Sequence, residues 1–205
     1  MAAVEPPRVG APPAERADAA RNRARVLAAA AELFRTREDP RAVTMDDVAR
    51  AAGVGRATLY RRYPDVPSIA AALLGNHERD LQERLLRGEP PLRPGAAPAE
   101  RLTAFYVAMV AHLEANLPLV IALDAGAARF AVGSYGFWRA HVRALLVEAR
   151  APDPDALVDA LLAPLAAEVF RHQRAGGLPP ERIAAGLARL ARGMLAPIMI
   201  DPRSS

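Results

Sequence analysis

The stretch TMDDVARAAGVGRATLYRRY, Thr44 to Tyr63, decides the reading of this 205-residue chain. Thr44-Met45-Asp46-Asp47 is a capping box, a hydroxyl able to accept an early helix amide with a carboxylate three residues on. Val48, Ala49 and Ala52 give the first helix a small apolar face, and small residues let a second helix cross it closely. Gly53 can take the positive φ that ends this helix, and Val54 tucks under the turn. The second helix is expected from Arg56 to Arg62, with Leu59 and Tyr63 turned inward and Arg56, Ala57, Tyr60 and Arg61 sharing the outer face. Two short helices joined by a glycine turn, the second offering arginine and tyrosine, form the pattern of a helix-turn-helix that meets a polyanion. Helix pairs of this kind also occur in bundles that never touch DNA. The four arginines Arg50, Arg56, Arg61 and Arg62, with no acid between Arg50 and Tyr63, favour the duplex.

Total charge adds little to this. The net charge is +4, divided evenly between the first 90 residues and the rest, so the useful signal is local clustering. Every one of the 27 basic residues is arginine, whose planar fork suits phosphates and guanine edges. An apolar content of 52% is enough for a sizeable core in one or two domains. The absence of cysteine excludes disulfides, thiolate metal sites and cysteine nucleophiles. With four scattered histidines a zinc site is not expected, and no cofactor is implied. No nucleophile elbow, phosphate loop or paired-carboxylate motif points to catalysis. No secretory signal and no run of about 18 uninterrupted apolar residues is visible, so a soluble, cytoplasmic protein without a membrane partner is expected.

Along the chain, residues 1–17 are rich in Pro and Ala and are expected to be a disordered arm. From Asp18 the pattern is helical, with Val26, Leu27, Ala30, Leu33 and Phe34 on one stripe and Asp39-Pro40 as its breaker. Asp65 is the expected cap of a fourth helix carrying Ile69, Leu73, Leu74, Leu81 and Leu85, so a DNA-binding unit with its linking helix spans 18–87. Gly88 to Pro98 is a Pro/Gly connector, and a second helical domain follows over 99–201. Helices are expected over 99–117, over 135–149, over 155–175 and from Pro180, with a short apolar segment from Pro118 to about Gly126 and with Pro164, Gly186 and Gly193 counting against straight helices where they fall. The fold class is all-α, with no strand, long repeat or sustained heptad.

With these residues in view, the chain resembles the tetracycline-repressor (TetR) family of transcriptional regulators. Val26-Leu27, Ala29-Ala30 and Leu33-Phe34 resemble its first-helix pattern; Thr44, Val48-Ala49, Ala52-Gly53-Val54, Thr58-Leu59-Tyr60 and Tyr63-Pro64 resemble its helix-turn-helix signature. The resemblance is detailed over residues 21 to 74 and elsewhere extends only to layout. It implies an all-helical homodimer of about nine helices, with an N-terminal three-helix DNA-binding domain and a C-terminal domain that dimerises and binds a small effector. Three positions depart from the family pattern: Gly55 where Ser is frequent, Ala57 where Gly is frequent, and Val66 where a phosphate-binding lysine is common. Backbone amides at the start of the fourth helix remain as an alternative phosphate contact there.

The resemblance and the helical faces together define the expected sites. Arg56 is expected to read a base edge, with Ala57 offering a methyl to thymine. Tyr60, Thr58, Thr44 and Arg62 are expected to meet phosphates, and Arg61 a base or a phosphate. The partners are then double-stranded DNA carrying a palindromic operator, a second copy of the chain, and a small hydrophobic effector. Phe105, Tyr106, Met109, His112, Phe130, Trp138 and His141 lie on segments expected to surround the effector pocket, although aromatic and Met side chains at helical spacing also suit a plain core. Leu157, Leu161, Leu165 and Val169, with Ile183, Leu187, Leu190 and Met194, are expected to supply the dimer surface, some of them facing the protomer's own core. A repressor released by its ligand is the expected function. Control by a protein partner, no effector, or activation are the alternatives.

Overall fold

The structure, a computed structural model, describes residues 13–123 and 133–195. Helix α1, Pro13–Thr36, buries Val26, Ala30 and Phe34, one face at helical spacing. It begins five residues before Asp18, so the expected arm over 1–17 is corrected: residues from Pro13 are helical. The reason is local, since Ala, Glu and Arg favour helix and Pro is tolerated in a first turn. Residues 1–12 lie outside the described residues.

Asp39 accepts the Arg41 amide at 3.0 Å and starts a single 3-10 turn, Pro40–Ala42. The expected capping box then forms in full. Asp47 N–H donates to Thr44 Oγ1 at 3.1 Å, and Thr44 N–H donates to the Asp47 carboxylate at 3.2 Å. These bonds open α2, Met45–Ala52. Gly53, at φ +61°, ends it in the left-handed region. Helix α3 follows as Arg56–Arg62, and α4 as Val66–Arg87 behind an Asp65–Ser68 capping box. Val26, Phe34, Val48, Leu59, Tyr63 and Ile69 close one core around this unit.

Helix α5, Pro98–Leu123, joins two helical runs across Asn116, whose φ of −129° and ψ of 15° are not helical. Pro118 has no amide to donate into the preceding turn, which accounts for the kink. Asn116 Nδ2 donates to the His112 carbonyl at 3.0 Å. With a mean hydropathy of 1.6, α5 is long and apolar enough to cross a membrane by composition alone. Its fully buried Leu102, Phe105 and Tyr106 instead pack into a second core with Leu81 and Leu85 of α4. Beyond the kink, Leu119, Ala122 and Leu123 pack on the N-terminal core. Thus α4 and α5 each run from one core into the other.

Helix α6 is Gly133–Glu148. The single helix expected over 155–175 is corrected to α7, Pro154–Leu162, a 3-10 turn at Ala163–Leu165, and α8, Ala167–Ala175. Pro164 breaks the hydrogen-bond ladder there. Helix α9, Pro180–Leu195, passes through Gly186 and Gly193 without interruption and buries Ile183, Leu187 and Ala191. Among the described residues there is no β-strand, in agreement with the all-α expectation. Arg41 of the first 3-10 turn pairs with Glu168 of α8, an ion pair between the two halves of the chain.

Candidate nucleic-acid interface and internal cleft

Leu59 and Tyr63, 1% and 6% exposed, anchor α3 into the first core. Their burial turns Arg56, Ala57, Thr58, Tyr60, Arg61 and Arg62 to solvent, with Tyr60 51% exposed despite its ring. Thr44 is exposed at the start of α2, so the predicted DNA-contact residues lie on or beside one face. Arg61 and Arg62 form no ion pair with another described residue, leaving two uncompensated positive charges on that face.

Two of the expected contacts already have internal partners. Arg56 pairs with Asp46 of α2, which holds the guanidinium across the helix-turn-helix. The Thr44 hydroxyl donates to Asp47 Oδ2 at 2.8 Å, so meeting a phosphate requires an exchange of partners. That hydroxyl and the Thr44 amide hold the Asp47 carboxyl below the ordinary carboxylate range, with Arg37 and Arg50 adding to the effect. At the start of α4 the Ser68 amide is taken by Asp65 Oδ1 at 2.8 Å. An amide site for phosphate beside Val66 therefore already contains a carboxylate.

Asp46 and Arg25 belong to this surface and were not singled out from the sequence. Arg25 of α1 donates from Nη2 to the Gly53 carbonyl at 3.1 Å and pins the turn between α2 and α3. No linear spacing reveals either contact, because both depend on how three helices cross.

A cleft of about 120 Å³ lies between α4, α5, α6 and the 3-10 turn after α7. Met109, His112 and Trp138, named among the candidate effector-pocket residues, line it. Phe105 and Tyr106 do not; both are fully buried in the core, and the Tyr106 hydroxyl donates to the Leu161 carbonyl at 2.9 Å. His141 packs on Phe105 with ring centroids 5.3 Å apart, and burial together with nearby Arg101 pushes its pKa down to about 4. Phe105 and Tyr106 are core at helical spacing, and the partly buried His141 packs beside them rather than lining the cleft. Phe130 lies outside the described residues. Glu78, Ser134 and Tyr135 line the cleft and were not anticipated. Burial raises the Glu78 carboxyl, while a hydrogen bond with Ser134 opposes this. The His112 imidazole is pushed down, first by burial and then by His77. Tyr135 donates to Asp159 Oδ1 at 2.8 Å.

The residues expected at a dimer surface fall into two sets. Leu161, Leu165, Ile183 and Leu187 are buried within the protomer, and Leu157 packs against the same core. Val169, Leu190 and Met194 remain exposed at 40%, 39% and 38%.

The first core with its exposed basic helix defines a helix-turn-helix DNA-binding domain, carried on a larger helical domain that holds the cleft. Residues 26–72 match the bacterial regulatory proteins of the tetR family. Over 48 residues it is 50% identical to an uncharacterised HTH-type transcriptional regulator of Mycobacterium tuberculosis H37Rv, covering 23% of this chain and 25% of the relative. A second such regulator from the same strain is 36% identical over 78 residues, 38% of this chain and 37% of the relative. The chain thus matches only a quarter to about a third of the length of these relatives. Solved structures match the fold more widely. A putative TetR-family regulator from Rhodococcus sp. superposes with a TM-score of 0.62 at 18% identity, over 85% of this chain and 99% of that one. NalD of Pseudomonas aeruginosa, the secondary repressor of the MexAB-OprM multidrug efflux pump, gives 0.61 at 21% identity, over 88% and 99%.

Proposed function

We infer that this protein is a homodimeric transcriptional repressor that holds a palindromic operator and is released when a small, largely apolar ligand enters the cleft. The observation that carries the DNA-binding part is α3 itself: Leu59 and Tyr63 lock it into the core while Arg56, Thr58, Tyr60, Arg61 and Arg62 stay in solvent. A single such domain contacts too little DNA for tight binding, so two copies on a two-fold site are required. Val169, Leu190 and Met194 are the exposed apolar residues that a second copy would cover. The post-kink part of α5 supports the ligand link. Val120 and Leu123 line the cleft, while Leu119, Ala122 and Leu123 pack on the DNA-binding core. A ligand that favours one placement of this segment shifts the separation of the two α3 helices.

Selection of bound sequences from random duplexes with the full chain tests the reading. The expected product is an inverted repeat whose half-site preference weakens in Arg56→Ala. Enrichment of no sequence at moderate salt overturns it.

A further inference from the structure

The cleft is apolar on most of its wall, from Leu74, Met109, Leu113 and Val120 among others, yet Glu78 lines it from α4. Among the described residues no arginine lines it and no cation pairs with Glu78. The hydrogen bond with Ser134 supplies one neutral group to a carboxylate that has about four acceptor positions. A half-buried carboxylate with so few partners is costly in its charged form, which accounts for burial raising its pKa. His112, also in the lining, is held toward its neutral form and brings no compensating charge. Beside it stand Tyr135 and the Trp138 ring, whose orientation is set by an edge-on contact with Phe137 at 5.2 Å. Ring faces attract cations and not anions.

We propose that the ligand of this cleft is a lipophilic cation, an apolar or aromatic body bearing one positively charged nitrogen, and that Glu78 is its counter-charge. This rests on reading the cleft as the effector site. An anionic ligand meets the carboxylate with like charge, and a neutral apolar one strips it of water without replacing the lost interactions. A cation satisfies Glu78 and uses the ring faces together.

Trp138 is the only tryptophan of the chain, so its emission reports on the cleft directly. The full chain is titrated at pH 8 with benzyltrimethylammonium, 2-phenylethanol and phenylacetate, which share an aromatic body and differ in charge. The cation is expected to bind at least tenfold more tightly than the alcohol, with phenylacetate weakest. In Glu78→Gln the preference for the cation over the alcohol should vanish, with thermal unfolding run alongside to establish that the variant folds. If the alcohol binds wild-type protein as tightly as the cation does, or Glu78→Gln keeps the preference, the cation assignment falls while the cleft stands as a ligand site. If none of the three perturbs Trp138 or binds by calorimetry, the effector-site reading falls with it. Should Glu78→Gln fail to fold, the three-ligand comparison on wild-type protein decides alone.

Discussion

Gly53→Ala is the sharpest test of how the helix-turn-helix is held. Gly53 sits at φ +61°, and a side chain there adopts the left-handed region at a cost of about 1–2 kcal/mol. A Cβ at this position would also lie 2.6 Å from Arg25 Nη2. The obstructing atom is the tip of a flexible side chain, so it yields rather than forcing the backbone apart. Yielding breaks its 3.1 Å bond to the Gly53 carbonyl, an exposed bond contributing about 0.5–1 kcal/mol. The two effects together destabilise by about 2 kcal/mol. Urea denaturation followed by helical circular dichroism should show this as a lowered midpoint at unchanged slope. In an Arg25→Ala background the same substitution should cost only the backbone part, leaving a coupling of about 0.5–1 kcal/mol. Gly53→Asn should be milder than alanine, because asparagine tolerates the left-handed region. A loss under about 0.5 kcal/mol for Gly53→Ala, or one that Arg25→Ala leaves unaltered, would refute this account of the turn.

Arg56→Ala should weaken the selected operator by about 1–3 kcal/mol and relax sequence preference, whereas Arg62→Ala should weaken all duplexes alike and reduce the salt slope by about one; equal effects of the two on specific and random DNA in a titration would undo the assignment. Joint replacement of Val169, Leu190 and Met194 by polar residues should convert a dimer to a monomer at micromolar concentration in light scattering, and an unchanged mass would place the interface elsewhere. The His141 imidazole has its folded-state pKa lowered to about 4 from 6.5, so between those values the unfolded chain binds a proton that the folded chain refuses. Its contribution is therefore complete above about pH 6.5 and is lost as pH falls toward about 4, about 2 kcal/mol after allowance for partial solvent access. His141→Phe should flatten the urea midpoint over that window, and identical pH profiles for the two proteins would exclude His141 as the group responsible.

Much of the DNA-binding half was legible in the chain because its signals act within about four residues. The Thr44–Asp47 and Asp65–Ser68 caps, the glycine at φ +61°, and the inward pair Leu59 and Tyr63 all follow from local bonding and helical period. The stop at Pro164 obeys the same local chemistry, since proline cannot supply the amide that the helical ladder needs.

What the tertiary structure alone decided is which faces meet. Asp46 reaches Arg56 and Arg25 reaches Gly53 only because α1, α2 and α3 cross at particular angles. The same holds in the second domain, where apolar residues fill most helical faces and periodicity cannot separate wall from core. Phe105 and Tyr106 went to the core, and Glu78, on a helix assigned to the DNA-binding unit, reached the cleft. Hydrophobic burial is non-directional, so composition states that a core forms without stating which side chains border its gap. That choice belongs to the packing of α4 and kinked α5 against α6.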